Sequence, residues 1–156
     1  MPNPTHSILD LPAISGCYLF PQPRRIAEPL VVEVPGAELA CYHKLVAPER
    51  FTVVHFHGNG AVVADYVPEM VDELSRLGLN SLFVEYREYG DSTGRAQLVA
   101  MLDDGQAAVA VAGIAPEKVV AFGRSIGSLY AIELARRIPN IAGLIIESGI
   151  ADPAER

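Results

Sequence analysis

Residues 118–134 read KVVAFGRSIGSLYAIEL, and the character of the sequence changes twice within this segment. An apolar run comes first, two glycines mark a turn, and apolar residues at a helical spacing follow. The turn itself, Gly123-Arg124-Ser125-Ile126-Gly127, matches the pattern G-x-S-x-G between a predicted strand and a predicted helix. So tight a bend strains the serine backbone and lifts its hydroxyl above the sheet. We therefore expect Ser125 to be a nucleophile, placed at the positive end of the following helix.

A second glycine-rich segment, His57-Gly58-Asn59-Gly60, follows the apolar run that begins at Phe51. Acyl transfer needs two hydrogen-bond donors aimed at the oxygen on which negative charge develops. The backbone N–H of Ile126, directly after the nucleophile, is the expected first donor. We expect Asn59 to supply the second, because the glycines beside it let the backbone approach a substrate closely.

The same glycines also resemble the start of a dinucleotide-binding loop, but the match is poor. Val63 stands where the third glycine of G-x-G-x-x-G belongs, and Glu85 only weakly matches the acidic residue expected about 20 positions further on. A metal site is also disfavoured, since His55 and His57 have no third ligand near them in sequence. We predict no cofactor and no metal, and expect His57 to stay neutral and brace its own loop by hydrogen bonds.

The polar loop from Tyr86 to Gly94 contains Arg87, for which the sequence allows two interpretations. Arg87 is either a buried charge paired with a carboxylate or, with Glu88, part of a loop that satisfies its own backbone. The structural role is favoured for both residues.

Strands and helices alternate from residue 51 onward, which predicts a parallel sheet covered by helices on both faces. An antiparallel hairpin precedes this part and makes the sheet mixed, so the fold class is α/β. Residues 1–16 are expected to form an irregular arm. The predicted strands are Cys17–Phe20, Leu30–Val34, Leu39–Val46, Phe51–Phe56, Leu79–Glu85, Lys118–Phe122 and Ile141–Glu147; the predicted helices are Tyr66–Leu77, Gln97–Ala112 and Ile126–Ile138.

Composition limits the partners and the compartment. The chain of 156 residues is half apolar, one fifth charged, and has a net charge of −7, which argues against nucleic acid or an anionic membrane as a main partner. No secretory leader and no apolar run of about 20 residues is visible, so we expect a cytoplasmic protein. Cys17 and Cys41 fit two free thiols in a reducing compartment, with a disulfide between them left open as an alternative.

Taken in order, four motifs resemble the α/β-hydrolase superfamily, over residues 18–152. The resemblance implies an α/β-hydrolase fold with a mostly parallel sheet, of which residues 17–156 are the N-terminal portion of a single domain. It also implies a serine hydrolase of ester, thioester or amide bonds that needs no cofactor. Glu85 and Glu88 stand where this family usually has Asp and Gly; the second change is mild only if the backbone there is not left-handed. The four motifs are His57-Gly58-Asn59, Glu85–Ser92, Gly123–Gly127 and Glu147-Ser148.

The base of the catalytic triad is absent, because in this fold the order is Ser, acid, His, and no histidine follows Ser125. Asp152 is a minor candidate for the acid. The chain is therefore expected to be a fragment, one half of a split enzyme, or a shortened pseudo-enzyme. The first two are favoured, because the predicted last strand would leave an apolar sheet edge exposed, which folded proteins avoid. We expect a complementing C-terminal chain, or self-association through that edge, to cover it.

Two other functions remain open at this stage. The fold without its triad would suit a non-catalytic binding or scaffolding protein. The same site would also allow acyl transfer to an acceptor other than water. The substrate expected for a hydrolase or an acyltransferase of this kind is a small acyl compound. Specificity in this fold depends on later loops.

Overall fold

A computed structural model describes residues 7–150 of the chain. Its six strands form one sheet in the order β1-β2-β4-β3-β5-β6, in which β3, β4, β5 and β6 are parallel and the β1–β2 and β2–β4 pairs are antiparallel. The mixed, mostly parallel sheet of the prediction is confirmed, and so is the hairpin at its start. The strands are β1 (Leu30–Val34), β2 (Ala37–Lys44), β3 (Thr52–Phe56), β4 (Asn80–Val84), β5 (Val119–Arg124) and β6 (Gly143–Glu147).

Helices cover both faces of this sheet. The helices are α1 (Pro12–Tyr18), α2 (Glu69–Arg76), α3 (Asp104–Val111) and α4 (Gly127–Arg137), with short 3-10 turns at Ile8–Asp10, Val63–Asp65, Ala100–Leu102 and Pro116–Lys118. Alternate residues of the central strands divide the core, because successive strand side chains point to opposite faces. Val54 and Leu82 belong to the larger cluster, to which α3 and α4 contribute, whereas Phe83 packs with Val71 of α2 in the smaller one.

The N-terminal segment differs from the prediction. Residues 8–10 form a 3-10 turn and residues 12–18 form a short helix, so the expected irregular arm is in part regular, and the expected strand at Cys17–Phe20 is wrong. Pro12 occupies the first turn of α1, where its fixed φ favours a helix and its missing N–H costs nothing. The helix ends at Tyr18, and the chain is extended from Leu19. Cys17 is exposed and Cys41 is buried, and both are free thiols, so no disulfide joins them.

Two helices begin later than their periodicity predicts. α2 begins at Glu69 because residues 63–65 form a separate 3-10 turn and Pro68 interrupts the pattern. α3 begins at Asp104 instead of Gln97. Residues 100–102 form a separate 3-10 turn before it, and the Val99 N–H donates to the Asp10 carboxylate at 2.7 Å.

The β6 edge of the sheet is exposed, as predicted. Leu144, Ile145 and Ile146 are 44%, 47% and 41% exposed, although the three are consecutive and so lie on both faces of the strand. β5 pairs with the other edge of β6, and α4 contacts it. Within the described residues nothing pairs with the outer edge of β6. Across residues 7–150, none of the helices combines the length and apolarity that crossing a bilayer demands.

Candidate active site

Ser125 lies in the turn between β5 and α4 with a positive φ of 51°. This left-handed conformation is strained for any residue with a Cβ and persists only where the surroundings enforce it. The Ser125 N–H donates to the Glu147 carbonyl at 2.9 Å, and its own carbonyl accepts from the Ser128 N–H at 3.0 Å. The side chain remains partly exposed. The expected strained bend with an accessible hydroxyl is therefore present.

The two glycines of the turn are required by close backbone approaches. A Cβ on Gly123 would lie 2.6 Å from the Ser128 Cα, and a Cβ on Gly127 would lie 2.7 Å from the His57 carbonyl oxygen. Real Cβ atoms do not approach so closely, so these positions admit only glycine without a shift of the backbone. The end of β3 and the start of α4 are thus in direct backbone contact.

This contact brings the second glycine-rich segment to the nucleophile. A Cβ built on Gly58 would lie 3.7 Å from the Ser125 Cβ, which is ordinary van der Waals distance. An open pocket of about 430 Å³ lies between the two turns. Its lining includes Gly58, Asn59, Gly60, Tyr66, Arg124 and Ser125.

The Asn59 side chain holds the glycine-rich segment against the N-terminal segment. Its Nδ2 donates to the Tyr18 carbonyl, and its Oδ1 accepts from the Phe20 N–H at 2.9 Å and from the Tyr89 hydroxyl at 3.0 Å. Three hydrogen bonds therefore fix the Asn59 side chain in place. Within residues 7–150, neither the Asn59 backbone N–H nor the Ile126 N–H donates a hydrogen bond to the protein.

His57 and Glu85 form a buried pair behind the same segment. The His57 Nε2 lies 2.8 Å from the Glu85 Oε1, and its Nδ1 lies 2.9 Å from the Gly58 carbonyl oxygen, to which it donates. The two side chains are 0% and 2% exposed. The expectation that His57 braces its own loop is confirmed, but its partner Glu85 was not foreseen. Each ring nitrogen of His57 thus faces an oxygen.

His55 has a different, largely aromatic environment. Its ring packs among those of Tyr66, Phe83 and Phe122 at centroid distances of 4.5–5.2 Å. Burial lowers the pKa of His55 to about 3, so the imidazole is neutral. The part of the chain that the structure describes holds no cluster of three His, Cys, Asp or Glu side chains suited to a metal ion.

The dinucleotide interpretation also fails on geometry. In that motif the glycines open a helix whose N-terminus binds the pyrophosphate. Here a 3-10 turn at Val63–Asp65 follows Gly60, and α2 begins only at Glu69. The glycines of this loop therefore do not open a helix, as the motif requires.

The loop after β4 contains the second buried charged pair. Arg87 donates two hydrogen bonds of 2.8 Å to the Asp104 carboxylate, so the paired alternative for Arg87 is confirmed. Hydrogen bonds to Asp104 raise the pKa of Arg87, and burial raises the pKa of Asp104. Glu88 has a φ of 70°, so the backbone is left-handed, and the condition under which replacing glycine here would be mild is not met. Its carboxylate accepts from the Ala96 N–H at 3.0 Å, which compensates part of the strain.

Charged groups at the rim of the pocket are largely paired. Arg24 donates two hydrogen bonds to Asp65, at 2.8 and 2.7 Å, and these lower the pKa of the Asp65 carboxyl. Arg124, next to the nucleophile, lies 3.6 Å from Glu147, and both are half exposed. Asp152, the minor candidate for the acid, lies outside the described residues. Of the histidines, His43 is on β2, and His55 and His57 are held as described above.

Comparison with known proteins identifies the fold. The chain resembles solved structures of an esterase from Pyrococcus furiosus (TM-score 0.66, 21% identity, 85% of this chain and 57% of that one) and of an N-acyl homoserine lactonase with bound N-butanoyl homoserine (TM-score 0.69, 22% identity, 82% and 47%). A CIB-like hydrolase from Thermoplasma acidophilum gives a TM-score of 0.67 at 18% identity, over 78% and 62%. The chain has the α/β-hydrolase fold.

Sequence comparison points to the same superfamily. The chain is 29% identical over 115 residues to the α/β hydrolase domain-containing protein 17B of Xenopus tropicalis, and 28% identical to the human protein of that name. Each match covers 70% of this chain and 40% of the relative, so the chain spans less than half the length of these relatives. No family model matches the chain.

Several contacts of the site were not predictable from motifs. Glu85 and Asp104 find their partners only through the packing of β4 against its neighbours, and the Tyr18–Phe20 contact depends on the fold of the N-terminal segment. The one available signal was at position 85, where the superfamily usually has Asp. Glu85 differs in length but is also acidic, and it is buried.

Proposed function

We propose that the chain supplies the nucleophile and oxyanion hole of a serine hydrolase that cleaves ester, thioester or amide bonds. The observation that carries the proposal is the left-handed Ser125, set between two glycines that admit no Cβ and beside Gly58. Strain of this kind is retained where function needs it, and here it presents a hydroxyl to an open pocket. The esterase and lactonase among the structural neighbours are consistent with this chemistry.

In the proposed reaction the Ser125 Oγ attacks the acyl carbon, and its proton passes to a histidine that acts as general base. The carbonyl oxygen becomes an oxyanion, which the Asn59 and Ile126 N–H groups stabilise. Neither N–H group donates a hydrogen bond within residues 7–150, so both are free for this role. The leaving group departs with the proton, and water then hydrolyses the acyl-enzyme by the reverse sequence. No metal or organic cofactor takes part.

The base and the acid are proposed to come from sequence or a chain outside these 156 residues. His57 is unsuited to act as the base, because both of its ring nitrogens are already engaged. His55 is enclosed by aromatic rings, and His43 is on β2, one strand beyond β4. A complementing segment paired with β6 would also cover the exposed residues 144–146 and would lie beside the Ser125 turn.

The test is ester hydrolysis by the complete natural polypeptide that contains these residues. We expect turnover of p-nitrophenyl acetate that Ser125→Ala lowers at least about 10³-fold, since a triad loses most of its effect with its nucleophile. Ser128→Ala is the matched control: Ser128 is buried and accepts a hydrogen bond from the Ile150 N–H, so it should affect stability and leave most of the activity. Activity that survives Ser125→Ala would refute the proposal.

The alternative function is a non-catalytic binding or scaffolding protein that keeps this fold. It is favoured if the complete polypeptide folds, binds a partner and hydrolyses no ester, thioester or amide. Transfer of the acyl group to an acceptor other than water is a variant of the enzyme proposal. Analysis of the products, free acid against a new ester or amide, distinguishes transfer from hydrolysis.

A further inference from the structure

Glu85 contacts both ends of the segment that carries the proposed oxyanion donor. At the start of this segment, residues 57–63, its Oε1 lies 2.8 Å from the His57 Nε2. At the end, its Oε2 accepts the Val63 N–H at 2.9 Å. Oε1 also accepts the Tyr86 N–H at 3.1 Å, so one carboxyl group binds His57 and Val63 of this segment and its own neighbour Tyr86.

His57 transmits this contact to the middle of the segment. Its Nδ1 donates to the Gly58 carbonyl, which precedes the Asn59 amide in the same peptide unit. Because a peptide unit is planar, fixing the direction of the Gly58 carbonyl also fixes the direction of the Asn59 N–H. The Tyr86 hydroxyl holds the preceding carbonyl, that of His57, at 2.7 Å.

We propose that Glu85 is a positioning residue for catalysis at Ser125, acting through His57 to hold the Asn59 N–H towards the oxyanion. This inference rests on the proposed function. Its physical basis is preorganisation, because donors that are fixed before the reaction stabilise a developing charge without the cost of reorienting.

The neighbouring loop shows that the Glu85 side chain is confined. A Cβ on Gly90 would lie 2.6 Å from the Glu85 Oε2. Gly90 has a φ of 58°, so a side chain at position 90 would be strained as well as displacing the carboxylate. The loop after β4 is thus shaped around Glu85 in the position where it bridges the two ends of residues 57–63.

Arg87–Asp104 provides a matched control. It is also a buried charged pair with hydrogen bonds of 2.8 Å, and it also involves the loop after β4. Its hydrogen bonds, however, join Asp104 of α3 and the Pro35 carbonyl after β1, and none joins it to residues 57–63. Disrupting either pair should destabilise the protein by a similar mechanism. Only disruption of the Glu85 pair should affect the Asn59 N–H.

The test compares Glu85→Gln with Asp104→Asn in the complete natural polypeptide. In either orientation a glutamine presents its NH2 group to a backbone N–H, that of Val63 or that of Tyr86, and so leaves a donor unsatisfied. We expect kcat for p-nitrophenyl acetate to fall about 10–100-fold in Glu85→Gln, with KM changed less than about threefold, as for a misplaced oxyanion donor. Asp104→Asn should lower the thermal midpoint and leave kcat of the folded protein within about threefold. Glu85→Asp, which keeps the carboxylate, should recover part of the loss.

A second measurement does not depend on activity. Amide hydrogen exchange, followed residue by residue, should accelerate at least about tenfold at Ala61 and Val63 in Glu85→Gln, but not in Asp104→Asn. Unchanged exchange with unchanged kcat would overturn the positioning role, and so would equal losses of kcat in the two variants. If the unmodified protein hydrolyses no ester while Glu85→Gln still accelerates exchange at Ala61 and Val63, the serine hydrolase proposal fails and the bracing of this segment by Glu85 stands.

Discussion

β3 and β6 are parallel strands of similar composition with opposite burial. Every residue of β3 is buried, between β4 and β5 and beneath helices on both faces. In β6, residues 144–146 are each more than two-fifths exposed. The buried half of the sheet carries the proposed nucleophile and oxyanion donors, whereas the groups that the mechanism still needs have no counterpart among the described residues. Within the described residues, β3 and β5 have a neighbouring strand on each side, whereas β6 is paired on one side only.

The largest expected effect comes from breaking the contact between β3 and α4. Gly127→Ala places a methyl group 2.7 Å from the His57 carbonyl oxygen, where only backbone surrounds it. We expect a loss of more than about 4 kcal/mol in the free energy of unfolding, seen in urea titrations by circular dichroism. Gly16→Ala in α1 is the control, because its new methyl group meets nothing within 4 Å, and alanine favours a helix by about 1 kcal/mol. Equal stability of the two variants would contradict the close approach.

A leucine pair tests the burial contrast directly. Leu82 in β4 is fully buried, and Leu144 in β6 is 44% exposed. Leu82→Ala should therefore cost about 2–5 kcal/mol and Leu144→Ala about 1 kcal/mol or less in the 156-residue chain. Repeating both measurements in the complete natural polypeptide sharpens the comparison: the cost at Leu144 should rise towards that at Leu82 if further chain covers β6. A cost at Leu144 that is already equal in the short chain would show that the edge is covered without it.

A pH dependence of stability reports on the buried half through a single residue. The folded state holds the pKa of His55 at about 3, below the ordinary value of 6.5, because burial disfavours the imidazolium. The unfolded chain binds a proton at His55 below about pH 6.5 and the folded chain does not, so stability falls as pH falls from 6.5 towards 3. The slope from this residue is at most about 1.4 kcal/mol per pH unit. His55→Phe should remove this contribution to the slope. An unchanged slope between pH 6.5 and 4 would contradict the burial of His55 away from water.

Much of the fold follows from local sequence, because its signals are local. The continuous apolar run of β3 predicts a strand buried on both faces, and the glycines at positions 123 and 127 predict the tight turn. The N-terminal segment was predicted wrongly because a four-residue apolar run from Cys17 fits a strand or a helix. Pro12, in the first turn of α1, favours the helix. Helix starts were displaced where a separate 3-10 turn precedes the helix, as at Val63–Asp65 and Ala100–Leu102.

The candidate site was predictable to a smaller extent. Motif spacing identifies Ser125 and the segment containing Asn59, since each depends on a few consecutive residues. The supporting pairs of Glu85 with His57 and of Arg87 with Asp104 were not identified, because each joins residues 17–28 positions apart through tertiary packing. The left-handed backbone at Glu88 was also missed, since no sequence rule places a glutamate there.

The central claim is that Ser125 is an activated nucleophile, and labelling with a fluorophosphonate probe tests it most directly. Trypsin should release residues 125–136 from the labelled, complete natural polypeptide, and mass spectrometry should find the adduct on this peptide. The account predicts that Ser125→Ala abolishes the adduct and that Ser128→Ala retains it. A folded, complete polypeptide that never labels at Ser125, or that labels equally after Ser125→Ala, would contradict it.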